Sequence, residues 1–408
     1  MSVNKKFKKG GASIFLVVVS CMFVAVIVAS FVRLMIRDQQ QASQQDLSQS
    51  AYDSAQAGVE DAKQFLNIWQ SECQSGTNIV AGSKCEAMSN AINNNSCNFL
   101  YSAGIGAQSG ETQIQSTKNS TDASKDLNQA YTCVKMSMKT SDYLGQNSQD
   151  GSTLLRLKPA AQAQYIRISW HNSEDGSVSN LQSYTTASDI ALPTKWVNGR
   201  PAVIEAQLSA INYITPPSER STESLDNPIN ALGVGSGKVT LYPATNTTVN
   251  NLYNTSKVLN FQTDGGIDSQ RRNATTSQKV NPVYCKTIDD GGYSCSVKIK
   301  VPASALTPQD NQYTLLKLTS LYTGSNFKVE MLDSAGNVVE FDGVQPKVDS
   351  TGRANDRFRR VESRLSLFDD SYPLPDFAIY QGDSDSKLCK DFWVTNLKSG
   401  STAGCEQG

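Results

Sequence analysis

From Ala12 to Val32 the chain reads ASIFLVVVSCMFVAVIVASFV, without one charged residue. About 20 apolar residues wound as an α-helix span the roughly 30 Å hydrocarbon layer of a bilayer. No other feature restricts the fold as strongly, because such a segment has to leave water. Lys5, Lys6, Lys8 and Lys9 precede it, then Gly10-Gly11, and Arg33, Arg37 and Asp38 close it. This bias of basic residues places the N-terminus on the cytoplasmic side. The run exceeds the apolar part of a cleaved secretory signal, and no small-x-small site follows it, so the segment is expected to stay with the protein.

The helix is expected to continue. Between Asp38 and Trp69 there is no proline, and Leu47, Ala51, Ala55, Val59, Ala62, Leu66 and Trp69 recur at steps of three and four. Those steps draw one stripe along a helix, opposite a face of Gln, Ser and Asp. A membrane segment over 12–32 and an amphipathic extension over 33–71 thus form one rod of roughly 85–90 Å at 1.5 Å per residue. Its outer half has to lay the stripe against the head or against other subunits.

Basic leader (1–11), glycine, apolar helix, amphipathic extension and a cysteine-bearing head together resemble type IV pilins and the pseudopilins of type II secretion. The segment Arg33-Leu-Met-Ile-Arg-Asp-Gln-Gln-Gln and the later Ser50-Ala-Tyr-Asp-Ser-Ala-Gln-Ala-Gly-Val-Glu are similar to the PilX-like minor pilins. The resemblance covers about 70 residues. It implies a prepilin peptidase that cuts after Gly10 or Gly11, storage in the membrane, and packing against other pilin subunits through the N-terminal helix. Major pilins carry a glutamate at the fifth mature position, which pairs with a neighbour's terminal amine. Here Phe15 or Leu16 stands there, depending on the cut. Among pseudopilins the member lacking this glutamate is the large one at the filament tip. The resemblance therefore implies a minor or tip subunit; the rival reading is a signal-anchored surface adhesin that never polymerises.

Cysteine usage points to export. Cys21 lies in the apolar helix, and the other eight form an even set: Cys73, Cys85, Cys97, Cys133, Cys285, Cys295, Cys389 and Cys405. Without a Cys-x-x-Cys or a neighbouring histidine, these read as disulfides of an oxidising compartment, not metal ligands. Eight cysteines allow 105 connectivities; pairing of sequence neighbours closes the shortest loops and is the expectation. With 37 basic and 38 acidic residues, no global field draws the chain to nucleic acid.

The fold class expected is α+β, a long N-terminal membrane-spanning helix packed on a β-rich, disulfide-stapled extracytoplasmic head. Residues 72–155 read as a polar insertion with little core of its own. Residues 156–234 read as a first β region and linker, and 235–408 as a C-terminal β-rich region. Gln164–Trp170 alternates, with Ile166, Ile168 and Trp170 on one face. Further strands are expected at 202–208, 296–301, 313–321, 327–332, 338–341 and 359–367, antiparallel throughout. Asp333-Ser-Ala-Gly336 reads as a hairpin turn, and no later helix matches the first in strength.

Sites of chemistry are sparse. His171 is the single histidine, placed by its neighbours Asn172-Ser-Glu-Asp-Gly in an exposed loop, so nucleophilic catalysis lacks a base and no enzyme is expected. Gly233-Val-Gly-Ser-Gly-Lys238 fails as a phosphate loop on spacing and on Val239, and reads as a glycine turn. Asp383 and Asp385, with Asp391, are the one candidate calcium set, set against the frequency of acidic residues in turns; no other cofactor is expected. Arg353, Arg357, Arg359, Arg360 and Arg364 make a basic patch that would suit a partner's acidic face or DNA phosphates. Arginines alternating on a solvent-facing edge strand explain the same pattern.

Overall fold

The computed structural model describes residues 11–73, 82–114, 128–181, 196–212, 237–244, 258–260, 281–286, 292–301, 306–308 and 312–366. Residues 1–10, the Gly233–Ser236 stretch, Asp383, Asp385, Cys389, Asp391 and Cys405 lie outside them. Helix α1 (Gly11–Ile68) runs into a π-helical turn at Trp69–Cys73, and the shorter α2 (Lys84–Asn93) follows. The strands begin with β1 (Thr112–Gln113), β2 (Ala130–Thr140), β3 (Tyr143–Asn147), β4 (Ser152–Arg156), β5 (Tyr165–Asn172) and β6 (Val203–Asn212). They continue with β7 (Gly237–Ala244), β8 (Val258–Asn260), β9 (Asn281–Tyr284), β10 (Tyr293–Lys300) and β11 (Gln312–Leu321). The last are β12 (Ser325–Leu332), β13 (Val338–Val339), β14 (Phe341–Ala354) and β15 (Arg357–Arg364). The class is α+β.

Two compact units divide the chain, Met1–Met136 with Val348–Ser363 and Ser137–Lys347 with Arg364–Gly408. This division differs from the expected boundaries at 72, 156 and 235, because strand pairing joins segments far apart in sequence. Residues 348–363 belong with the N-terminal helix, not with the C-terminal strands beside them.

In the first unit, α1 buries Ala51, Ala55, Val59, Ala62, Phe65 and Leu66. The β1-β2-β14-β15 sheet supplies the opposing strands. Ser83 caps α2 by accepting from the Glu86 N–H at 3.2 Å, and the Glu86 carboxylate accepts from the Gly82 N–H at 2.6 Å. Met88 and Ile92, one turn apart on α2, are buried, as are Phe99, Leu100, Tyr131, Val134 and Met136. Residues 72–155 were expected to have little core of their own, and those up to Met136 share theirs with α1. The apolar residues from Met88 to Met136 are few and widely spaced in sequence, yet Phe99 meets Phe65 of α1 edge-to-face at 4.8 Å, whereas Tyr143 and Leu155 belong to the core of the second unit. Disulfides Cys73–Cys85 and Cys97–Cys133 tie this segment to itself.

The second unit is a β-sandwich. One sheet runs β13-β12-β5-β10-β8, with β3 also pairing β12, and the other runs β4-β11-β6-β7-β9. Their inner faces share one cluster in which Ile166, Ile168 and Trp170 meet Ile204, Ala206, Leu208, Leu316 and Leu318. Alternation on β5 thus puts the expected residues inside. The Trp170 indole donates to the Ala202 carbonyl at 2.9 Å. Between β12 and β13 the Asp333 turn closes as expected, with Gly336 at φ 91° and the Asn337 N–H bonded to the Asp333 carboxylate at 2.8 Å. The pairing is not antiparallel throughout: β8 runs parallel to β10 and β9 parallel to β7. Long polar connections precede β8 and β9, and such connections permit a strand to return in the same direction.

Candidate functional site

The residues of most consequence lie along α1. Among the described residues it is the one helix long and apolar enough to cross a membrane. Its first part buries nothing: Phe15 and Leu16 are 72 % and 71 % exposed, and large apolar side chains stay exposed through Ile36. Removing one such side chain from water is worth about 1.5–3 kcal/mol, so this surface as a whole favours leaving water by tens of kcal/mol. Cys21, a free thiol, sits on it. No charged side chain lies between Gly11 and Arg33, so neither Phe15 nor Leu16 has a carboxylate beside it in sequence.

From Ala51 onward the same helix is sealed onto its own sheet. The contact is close because small residues line it. A Cβ at Gly58 would strike Ser350, Val134 and Tyr131 side chains, and a Cβ at Gly352 on β14 would strike the backbone of Ala51, Ser54 and Ala55. Glycine in a strand here marks direct approach of another backbone. Polar ties fix the register. The Tyr131 hydroxyl donates to Asp61 at 2.7 Å, and Arg359 Nε donates to the Ser48 hydroxyl at 2.7 Å. Burial foremost, with help from the Asp61 carboxylate, holds the Tyr131 phenol above its ordinary range. Ser54, Gly58 and Phe65 were missing from the stripe read in the sequence. Their spacing to Ala51, Ala55 and Ala62 was the available signal: each lies three residues after one of these alanines, and Ser54 and Gly58 are small like them.

The arginines do not form one open patch. Arg357, Arg359, Arg360 and Arg364 lie on β15, the edge strand of its sheet, and Arg353 on β14. Arg360 forks onto Asp349, Arg353 pairs with Glu111, and Arg364 meets Asp142 at 2.7 Å. Arg357 and the exposed Phe358 remain turned to solvent. Most of the expected positive surface is thus spent on local carboxylates. Among the described residues no group of three or more His, Cys, Asp or Glu side chains is placed to hold a metal ion.

His171 is not in an exposed loop. It is the last residue but one of β5, at 2 % exposure and with φ 65°. The strand outlasts its alternating pattern because the next residues build a knot on its end. Asn172 and Asp175 form a capping box, and the Asp175 carboxylate also accepts from the Asn326 backbone and side-chain N–H groups. His171 Nε2 lies 3.1 Å from the Gly176 carbonyl oxygen, so it carries the proton, and the buried Nδ1 has no partner. Burial outweighs the nearby Asp175 charge and lowers the imidazole pKa. The unfolded chain then binds protons more readily than the folded one, and stability declines as pH falls below about 6.5, the ordinary imidazole value. We expect thermal melts of the wild type to lose stability between pH 7 and 5, and His171→Gln to remove that part of the slope. A wild-type curve parallel to the variant's would contradict the assignment.

Compared with known proteins, the chain matches no family model, and no curated protein or solved structure shows significant similarity to it.

Proposed function

We propose that the chain is a structural subunit of a type IV pilus-like extracellular filament, a minor or tip pilin of the PilX-like kind. The observation that carries this reading is the continuity of α1. One unbroken helix of 58 residues presents an apolar surface on all sides in its first part and is locked onto a sheet in its second. An anchor alone needs no rigid connection to its head. A subunit that transfers its helix from the bilayer into a filament core does, because the head must follow the helix. Before assembly the apolar part lies in the membrane with the N-terminus cytoplasmic, while the disulfide-bearing parts lie outside in an oxidising compartment.

The absent carboxylate favours a terminal place in the filament. A neighbour's terminal ammonium, buried beside Phe15 or Leu16 without a partner, costs several kcal/mol, so the chain is a poor repeating unit. At an end of the filament that cost vanishes. The expected result of immunogold electron microscopy on sheared filaments is label at ends or bases. Continuous label along shafts would make the chain a major subunit. Label on the envelope and none on filaments would leave the second reading, a signal-anchored adhesin, which the same missing carboxylate allows.

A further inference from the structure

Contacts fix the order in which the sheet of the first unit is laid along α1. β2 lies over the far part, where Tyr131 and Val134 meet Gly58 and the Tyr131 hydroxyl reaches Asp61 at 2.7 Å. β14 comes next, with Gly352 against Ala51, Ser54 and Ala55. β15 comes last, its Arg359 Nε bonded to the Ser48 hydroxyl at 2.7 Å. The sheet thus steps along the helix toward the apolar run, and its edge strand β15 is the strand nearest that run. Ser48 lies about 18 Å beyond Ile36, where the run of exposed large apolar residues ends, at about 1.5 Å per residue.

This edge keeps two cations and one aromatic ring open. Arg360 is committed to Asp349 and Arg353 to Glu111. Arg357 is exposed and bonds no carboxylate among the described residues, and Arg359 bonds only the neutral Ser48 hydroxyl there. Phe358 stands between them, 58 % exposed. Asp356 in the adjoining turn and Asp46 on the helix are exposed acids close by, so the edge is no general basic patch. What sets it apart is the consecutive Arg357-Phe358-Arg359, placed at the end of the sheet closest to the apolar run. A guanidinium fork matches the oxygens of a phosphate. An exposed phenyl ring is costly in water, and aromatic rings gather instead at the headgroup level of a bilayer.

We infer that β15 is a membrane-docking edge: while α1 is stored in the bilayer, Arg357 and Arg359 bind lipid phosphates and Phe358 enters the headgroup layer. The inference rests on the reading of α1 as a membrane-stored helix and adds a second contact to it. With the hydrocarbon boundary at Ile36, the headgroup layer covers about 5–7 Å of the distance to Ser48. An upright helix leaves about 11–13 Å, which a tilt of about 20° and the reach of an arginine side chain shorten. The remainder lies within a Debye length of about 10 Å, over which a cation feels the lipid surface. Lipid is favoured over a protein partner because the unbroken helix itself sets how far the edge stands from the bilayer.

The test uses the full-length protein reconstituted into vesicles of phosphatidylcholine and phosphatidylglycerol, with and without a lipid carrying a nitroxide on its headgroup. Phe358→Trp adds one emitter to the four native tryptophans, and its emission is the difference from wild type. The nitroxide lipid is expected to lower that added emission at least twofold. Tyr101→Trp is the control. Tyr101 is 49 % exposed in the same unit and close in sequence to Phe99, which meets Phe65, about 25 Å farther along α1 than Ser48. Its added emission should be unaltered. Arg357→Gln with Arg359→Gln, placed on the Phe358→Trp chain, should restore most of the lost emission, and glutamate at both positions all of it. Flotation of the vesicles separates two failures. Protein that does not float with the lipid overturns the membrane storage of α1 and the docking with it. Protein that floats, but whose Phe358→Trp emission ignores the nitroxide, overturns the docking alone. So do equal quenching in the Tyr101→Trp variant and undiminished quenching in the double glutamine variant. Emission that follows protein density and not the nitroxide lipid would assign the edge to a neighbouring subunit and overturn the docking as well.

Discussion

Replacing Gly352 with valine should release the second half of α1 from its sheet. The position lies on β14 directly under the helix, and any Cβ there meets backbone atoms of Ala51, Ser54 and Ala55. A flexible side chain would step aside; a helix backbone moves only as a body. Overpacking inside a well-filled core typically costs 1–3 kcal/mol, and this clash belongs at or above the upper end, about 3 kcal/mol or more. Moving the helix outward also breaks what surrounds the contact: Gly58 against Ser350 and Val134, and the Tyr131–Asp61 bond. Hydrogen exchange read by mass spectrometry should show lost protection over 51–68. Peptides covering β5 and β11 should be unchanged, since they belong to the other unit. Gly352→Ala introduces the same Cβ and should show the same pattern, less strongly. Unchanged exchange over 51–68 in the valine variant would show that the helix does not lie where we place it.

Trp170→Ala should produce the largest loss in the second unit. The side chain is fully buried among residues of both sheets, so its removal leaves a cavity that neighbouring strands cannot close. Large-to-small changes of this kind cost about 3–5 kcal/mol. The Ala202 carbonyl also loses the indole N–H that reaches it at 2.9 Å. Trp170→Phe separates the two contributions. It keeps most of the ring volume and gives up the hydrogen bond, for a loss of about 1–2 kcal/mol. Urea unfolding followed by exchange over β5 and β11 measures both. A phenylalanine variant as unstable as the alanine one would mean that the hydrogen bond, not the packing, dominates this site.

The parts of the fold that could be read from the sequence are those whose residues repeat with a period. The 3.6-residue stripe from Ala51 to Leu66 marks α1, and the two-residue alternation of Ile166, Ile168 and Trp170 marks β5, because each period has one buried face to explain it. The Asp333-Ser-Ala-Gly336 turn was legible because φ above zero calls for glycine at that point. What stayed hidden lacks a period of its own. β14 contains Gly343, Pro346 and Gly352, residues that usually punctuate loops; Gly352 is there because the α1 backbone presses on it. His171 reads as a loop residue because the Asn172–Asp175 knot beside it uses turn chemistry to lock a strand end.

The filament reading depends on one covalent event before any assembly. The basic leader ahead of Gly10-Gly11 must be removed for the apolar helix to enter a filament core, since Lys5, Lys6, Lys8 and Lys9 would otherwise be carried into it. Intact-mass and N-terminal peptide mass spectrometry on protein taken from its native cell envelope tests this directly. The expected mature chain begins at Gly11 or Ala12. A chain that still begins at Met1 or Ser2 would contradict it and leave a membrane-anchored surface protein in place of a pilin.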